Sequence, residues 1–165
     1  MSKKRLIRKR LSPGDVVEMK IGKKYAYAQF IMRHKKPPFY GKLMRILPGE
    51  FSKRQTDFEE LGAREGSYCC FWWITSDITS LRIRIVGKST IPREYRQMPR
   101  FKHGIRNLKT RKVSRWYIWD GKKRTSTPVS ELSEAQKSYP ILQIVPTYVV
   151  ETRIRKGWHP RQECD

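Results

Sequence analysis

The sequence predicts an α+β protein, mainly β: a single domain built on a curved antiparallel sheet with one or two short helices. Three observations predict it. In residues 14–32, apolar side chains alternate with period two on either side of Gly22, Lys23 and Lys24, the mark of a hairpin. Residues 67–74, SYCCFWWI, form an apolar run of eight, short enough for a central strand buried on both faces. Five Trp, eight Tyr and six Phe supply the large flat side chains that a pleated core accommodates. At 165 residues, one domain is long enough to bury such a core.

The elements follow in order. Residues 1–12 contain Lys3, Lys4, Arg5, Arg8, Lys9 and Arg10, and read as a flexible basic arm. Val16, Val17, Met19 and Ile21 make the first strand. Tyr25, Tyr27, Gln29 and Ile31, alternating with Ala26, Ala28 and Phe30, make the second. Pro37 and Pro38 lack the backbone donor a central strand needs, so pairing stops near His34. A strand resumes over residues 39–47, with Gly41 as a bulge or a close backbone approach, and Pro48 and Gly49 end it in a turn. Thr56 stands three residues before Glu59, a capping-box spacing that opens a short helix over residues 56–63.

After the buried run, Ser76 and Asp77 mark a turn. Leu81, Ile83 and Ile85 then alternate with Arg82 and Arg84, giving a half-buried strand with a basic outer face. Residues 93–114 read as irregular and basic. Residues 116–119, WYIW, are a strand, closed by the hairpin-type turn at Asp120 and Gly121. Thr127 and Pro128 open a second helix running through Lys137, with Pro at its first position. Residues 149–154 are a closing strand or short helix, and residues 156–165 a basic tail. The folded domain so defined spans residues 13–155, with the curvature of an SH3-like or half-barrel sheet.

Charge sets the class of partner. Lys and Arg number 37 against 15 Asp and Glu, a formal net of +22. A field of that size attracts nucleic acid, an anionic surface or an acidic protein. It is densest between Arg82 and Arg124, where fifteen cations face only Glu94 and Asp120. Three cysteines make no disulfide framework. Adjacent Cys69 and Cys70 point to opposite faces of a strand, and this usage fits the reducing cytoplasm. No signal-peptide core and no run of eighteen apolar residues occurs, so a cytoplasmic protein without membrane insertion is expected. Nothing in the sequence sets the oligomeric state.

Catalytic chemistry finds no residue set. His34, His103 and His159 lack Cys, Asp or Glu at metal-ligand spacing. HExxH, CxxC, GxSxG, P-loop and GxGxxG motifs are all missing. Neighbouring Glu59 and Glu60 read as helix capping and solvation. The expectation is a binding protein with no metal and no cofactor. Cations interleaved with aromatics suit phosphate contact plus base stacking. If DNA or RNA is bound, Lys3, Arg5, Arg8, Arg10, Arg82, Arg84, Arg100, Lys102, Arg111 and Lys112 are the candidate phosphate ligands. For a protein partner the same cations would set the on-rate, and Trp73 and Trp158 are the candidate interface aromatics. Trp116 and Trp119 are read as core.

Three stretches together resemble the bacterial immunity protein 26 family of polymorphic-toxin systems. One is the opening Gly14-Asp15-Val16-Val17 through Lys24-Tyr25-Ala26-Tyr27-Ala28. Another runs from Cys70 to Ile91, with Asp77-Ile78-Thr79-Ser80 and Val86-Gly87 inside it. The last is Trp116-Tyr117-Ile118-Trp119-Asp120-Gly121, followed by Thr127-Pro128 and Val150-Glu151-Thr152-Arg153-Ile154. Their collinear order covers most of residues 12–155. The resemblance implies stoichiometric binding of a cognate toxin or other protein partner, with no chemistry of its own. Two departures stand out: Ala28 where a glycine is expected, and the density of cations in residues 93–114. A net +22 excludes acidic mimicry of a nuclease substrate, so a charge-led partner would be acidic at its contact face. The alternative, implied by charge and not by the resemblance, is a basic nucleic-acid-binding protein using the arm and residues 82–124.

Overall fold

Gly22 adopts φ +62, the left-handed conformation that closes a two-residue hairpin between β1 (Asp15–Ile21) and β2 (Lys24–His34). Their antiparallel register runs from Ile21↔Lys24 to Val16↔Gln29, as the alternation predicts. In this computed structural model, which describes residues 10–164, the hairpin is the centre of a larger sheet. β3 (Gly41–Ile46) pairs with β2, β4 (Tyr68–Trp72) with β3, and β5 (Ile83–Lys88) with β1, all antiparallel. The two-residue β9 (Ile144–Val145) adds in parallel to β4. The strand order is β5-β1-β2-β3-β4-β9. A second antiparallel sheet comprises β6 (Phe101–Arg106), β7 (Val113–Trp119) and β8 (Thr127–Val129) in that order. Neither sheet closes into a barrel; the fold is mainly β with α+β composition, in one domain.

Both faces of the large sheet are covered, so its strands are apolar on both sides. On one face Val17, Met19, Ala28, Met44, Cys70 and Trp72 pack with Ile78 and Val150, from the helices α2 (Thr75–Thr79) and α4 (Thr147–Arg155). On the other, Ile31, Leu43, Cys69 and Phe71 meet Phe101 and Trp119 of the small sheet. The junction is a pile of rings. Tyr40 stacks on Phe71 and Phe71 on Phe101, each at 5.0 Å and 19°, with Trp119 tilted against all three. A third cluster, Val16, Tyr27, Leu47 and Leu61, lies under α1 (Phe58–Ala63). Cys69 and Cys70 are free and face opposite sides. Burial pushes both thiols up, Cys70 to about 12, so they are inert neutral core groups.

Several expectations need correction. Residues 93–114 are not wholly irregular, since β6 lies within them. Phe101, His103 and Ile105 do alternate with Lys102, Gly104 and Arg106, but basic residues obscure the period. Gly104 fits because a Cβ there would stand 2.7 Å from the Val113 side chain across the strand pair. Thr127 and Pro128 open β8, not a helix. The helix there is α3 (Glu134–Lys137), capped by Ser133 and Gln136. The cap of α1 is Asp57, whose carboxylate accepts from Glu60 N at 2.9 Å, one residue after the expected Thr56. Ser76 and Asp77 lie inside α2 rather than in a turn, while residues 149–154, expected as a strand or short helix, take the helical form in α4. There are thus four α-helices among the described residues, where one or two were expected. Leu81 is exposed with φ +63, so β5 starts only at Ile83. Residues 156–164 are no loose tail. Trp158 packs on Tyr68, Pro160 is buried, and Lys102 donates to the Pro160 carbonyl.

Candidate functional site

The small sheet runs outward from the core. By register, Phe101 faces Trp119, His103 faces Tyr117, and Ile105 faces Arg115, all on one side. The first pair is buried in the ring pile and the last is exposed. Between them the imidazole of His103 stacks on the Tyr117 ring, centroids 5.1 Å apart and 13° from parallel. His103 Nε2 is 3.1 Å from Ser126 Oγ, and Tyr117 lies opposite Pro128 of β8. Partial burial lowers the His103 pKa, which keeps the ring neutral and flat against its neighbour at neutral pH.

Cations surround this strip. At one end the β6–β7 turn is drawn tight by Asn107, whose side-chain oxygen accepts from Lys109 N and Thr110 N. The turn presents Lys109, Arg111 and Lys112, all exposed, with Arg111 at φ +58. At the other end stand Arg100, ahead of β6, and Arg124, after β7. Arg115 projects from the strand between. None of these six side chains is within ion-pair distance of an acid among the described residues.

The sequence-predicted contacts distribute unevenly. Arg100, Arg111 and Lys112 belong to this strip. Arg84 is exposed on β5, in the other sheet. Arg82 is exposed but balanced by Glu151 at 2.8 Å and Asp77 at 3.6 Å, tying α2 to α4. Arg10 is exposed just before Leu11, which packs on the main core. Lys3, Arg5 and Arg8 lie outside the described residues.

Lys102 must be corrected. It is 0% exposed, and its ammonium donates to the Lys137 and Pro160 carbonyls at 2.7 and 2.9 Å, beside Cys164 Sγ. A buried ammonium saturated by neutral acceptors is a strut and reaches no phosphate. Trp158 is likewise half-buried, holding the Arg153 guanidinium 3.9 Å from its ring centre and Tyr68 edge-on. Trp73, by contrast, is exposed as expected. Trp116 and Trp119 are core.

Sequence reasoning missed the His103–Tyr117 stack, and it saw Arg115 beside Trp116 and Tyr117 without naming it among the candidate phosphate ligands. The period-two pattern of residues 101–106 was the available signal. Also missed were three buried cations, Arg45, Lys102 and Arg153. Arg45 lies over the Tyr95 ring at 4.5 Å and donates to Ser67, Gln29 and the Gly62 carbonyl, with no carboxylate in the set.

Among the described residues, no group of three or more His, Cys, Asp or Glu side chains could hold a metal ion, and no helix is long and apolar enough to cross a membrane. Compared with known proteins, the chain matches no family model, no curated protein and no solved structure.

Proposed function

We propose that this chain is a non-catalytic binding protein which, like the immunity proteins it resembles, occludes a cognate toxin or another acidic protein one to one. The observation that carries the reading is the cationic strip on the small sheet. Arg100, Lys109, Arg111, Lys112, Arg115 and Arg124 are exposed together without acid partners. An uncompensated cluster repels itself, and an acidic surface relieves that repulsion while speeding encounter. The rigid floor beneath, an aromatic pile and a buried lysine strut, holds the strip in fixed geometry.

A second reading, nucleic-acid binding, is favoured by one feature. The flat His103–Tyr117 pair beside Arg115 offers a stacking surface next to phosphate ligands. The two readings separate by salt. Binding through six to ten phosphates weakens by about 10³–10⁵ between 50 and 200 mM salt, and an apolar-centred protein interface changes far less. Gel shifts with mixed DNA and RNA, run beside calorimetry with the product of the adjacent reading frame, test both. No shift at 50 mM salt removes the nucleic-acid reading. No heat of binding with the neighbouring product, together with no protein co-purifying with the chain, removes the first.

A further inference from the structure

We infer that the outer half of the β6–β7 ribbon is a finger that enters the minor groove of duplex DNA, with Leu108 at its tip wedged between base pairs. This rests on the nucleic-acid reading of the cationic strip and names its substrate. The finger stands clear of the body. Ile105 and Arg106 on β6, and Ser114 and Arg115 on β7, are all exposed. Alternation puts neighbours on opposite faces, so both faces of the ribbon meet solvent there. Leu108, in the turn between the strands, is 96% exposed.

The finger is also stiff. Arg111 N donates to the Asn107 carbonyl and Asn107 N to the Lys112 carbonyl, each at 2.8 Å. The Asn107 side-chain oxygen accepts from Lys109 N and Thr110 N at 2.9 and 3.1 Å. Across the ribbon, Ser114 Oγ donates to the Ile105 carbonyl at 2.9 Å. A turn bonded this way holds Leu108 out in water and loses little freedom when it docks.

Charge and shape select the occupant. Arg115 stands opposite Ile105 on one face, and Lys112 lines a cleft on the other face with Ser114 and Trp116. Lys109 and Arg111 sit in the turn between. None of these four cations has an acid in ion-pair reach among the described residues, and Glu131, which lines the same cleft as Lys112, forms no ion pair with it. Cations on both faces of a narrow ribbon fit a groove with anionic walls on both sides, which DNA supplies. A flat acidic patch on a protein would meet one face. The tip residue points the same way. Leucine is under-represented among protein hot spots, but it is one of the side chains that minor-groove proteins insert between base steps. Duplex RNA fits less well, because its minor groove is wide and shallow. One leucine also buries far less than the single acyl chain that gives only marginal membrane binding. The turn consumes the Asn107 amide oxygen, so the tip lacks the bidentate amide that reads adenine, and the finger reads groove shape instead of sequence.

The test uses the full chain and a DNA duplex of about 25 base pairs with a donor and an acceptor dye at its ends, at about 50 mM salt. Binding should bend the duplex, read as a rise in energy transfer. Leu108→Ser should weaken binding about tenfold and abolish the bend, and Leu108→Phe, which keeps a wedge, should retain it. Arg115→Ala should weaken binding to every sequence alike, lower the salt slope by about 1 and leave the bend of the bound duplex unchanged. The altered side chains face solvent, so all three variants should melt with the parent protein. Binding by the parent without a bend, or a bend in Leu108→Ser equal to the parent's, overturns the wedge and leaves the nucleic-acid reading standing. No binding of DNA or RNA by the parent removes that reading and the finger with it. Single strands or duplex RNA bound as tightly as duplex DNA overturn the choice of substrate. If Leu108→Ser keeps parental DNA affinity but loses the product of the adjacent reading frame, or vesicles of phosphatidylserine, the tip belongs to a protein interface or a membrane and the proposal falls.

Discussion

Around the large sheet, several cations are matched. Arg54 lies 3.0 Å from Glu18, Lys88 3.7 Å from Asp15, and Arg82 reaches both Glu151 and Asp77. On the small sheet, Arg100, Lys112 and Arg115 have no acid within reach among the described residues. Exposed ion pairs contribute only about 0–1 kcal/mol each, so the matching is not what holds the large sheet together. What it does is offset part of that region's positive charge, although Lys20, Arg33 and Arg84 have no acid in ion-pair reach among the described residues, while the strip on the small sheet has no such offset. The small sheet must then be held against its own repulsion by something other than charge. Two features do this: the ring pile from Tyr40 through Phe71 to Phe101, and the Lys102 strut to the C-terminal segment.

Breaking the pile should have the largest effect. Phe71 is 0% exposed and touches both sheets, so Phe71→Ala removes the ring on which Phe101 and Tyr40 stack. The expected cost is about 3–5 kcal/mol, read from the urea midpoint. A loss below about 1 kcal/mol would mean that the sheets are joined elsewhere. Lys102→Ala comes next. It leaves the Lys137 and Pro160 carbonyls without their donor, for about 2–4 kcal/mol, while polyanion affinity stays unchanged because the ammonium never faced solvent. Weakened polyanion binding at intact stability would return Lys102 to the surface set.

The two sheets should also fail at opposite ends of the pH scale. In the large sheet, burial raises Cys69 and brings Cys70 and Tyr27 to about 12. Unfolded, these groups ionise from about pH 9 to 10, so the unfolded state loses protons first. Stability is complete below about pH 9 and falls as pH rises toward the folded values. In the small sheet, His103 is shifted down, so the unfolded state takes up its proton first. That contribution is complete above about pH 6.5 and shrinks as pH falls below it. Urea midpoints at pH 5, 7 and 10 should show a large alkaline loss and a smaller acid one, the acid loss shrinking in His103→Phe and leaving the share of His159, which burial also shifts down.

The same contrast explains what could be read from the sequence. The large sheet was legible because its strands obey simple rules. Alternation and Gly22 gave β1 and β2, and an uninterrupted apolar run gave β4. The small sheet was only partly legible. WYIW exposed β7, but in β6 the one inward lysine looks like every outward one until Pro160 is seen above it. Burial of Lys102 depends on carbonyls 35 and 58 residues away, and no local pattern encodes them. Thr127 and Pro128 carry a helix-start signal that pairing with Ile118 and Tyr117 overrides. Within the site, Arg100, Arg111 and Lys112 were legible and the His103–Tyr117 stack was not, because it forms across a strand pair. Trp73 was legible as exposed because Trp72 and Trp73 cannot share one face.

The smallest expected effect is the sharpest on the comparison itself. Arg82→Ala removes a paired cation at the large sheet and should cost up to about 1 kcal/mol, with Glu151 and Asp77 left facing each other's charge. The triple variant Arg100→Glu, Lys112→Glu, Arg115→Glu removes cations that have no partner. It should change stability by no more than about 0.5 kcal/mol, and the sign should be stabilising at low salt, where relief of repulsion is greatest. Melting curves at 20 and 500 mM salt separate the two cases. Salt should shrink the loss in Arg82→Ala and erase the gain of the triple variant, so the two move in opposite directions. If the triple variant instead loses several kcal/mol, those cations hold the small sheet in place. Their exposure would then reflect a structural role, and the strip would lose its claim to be a binding surface.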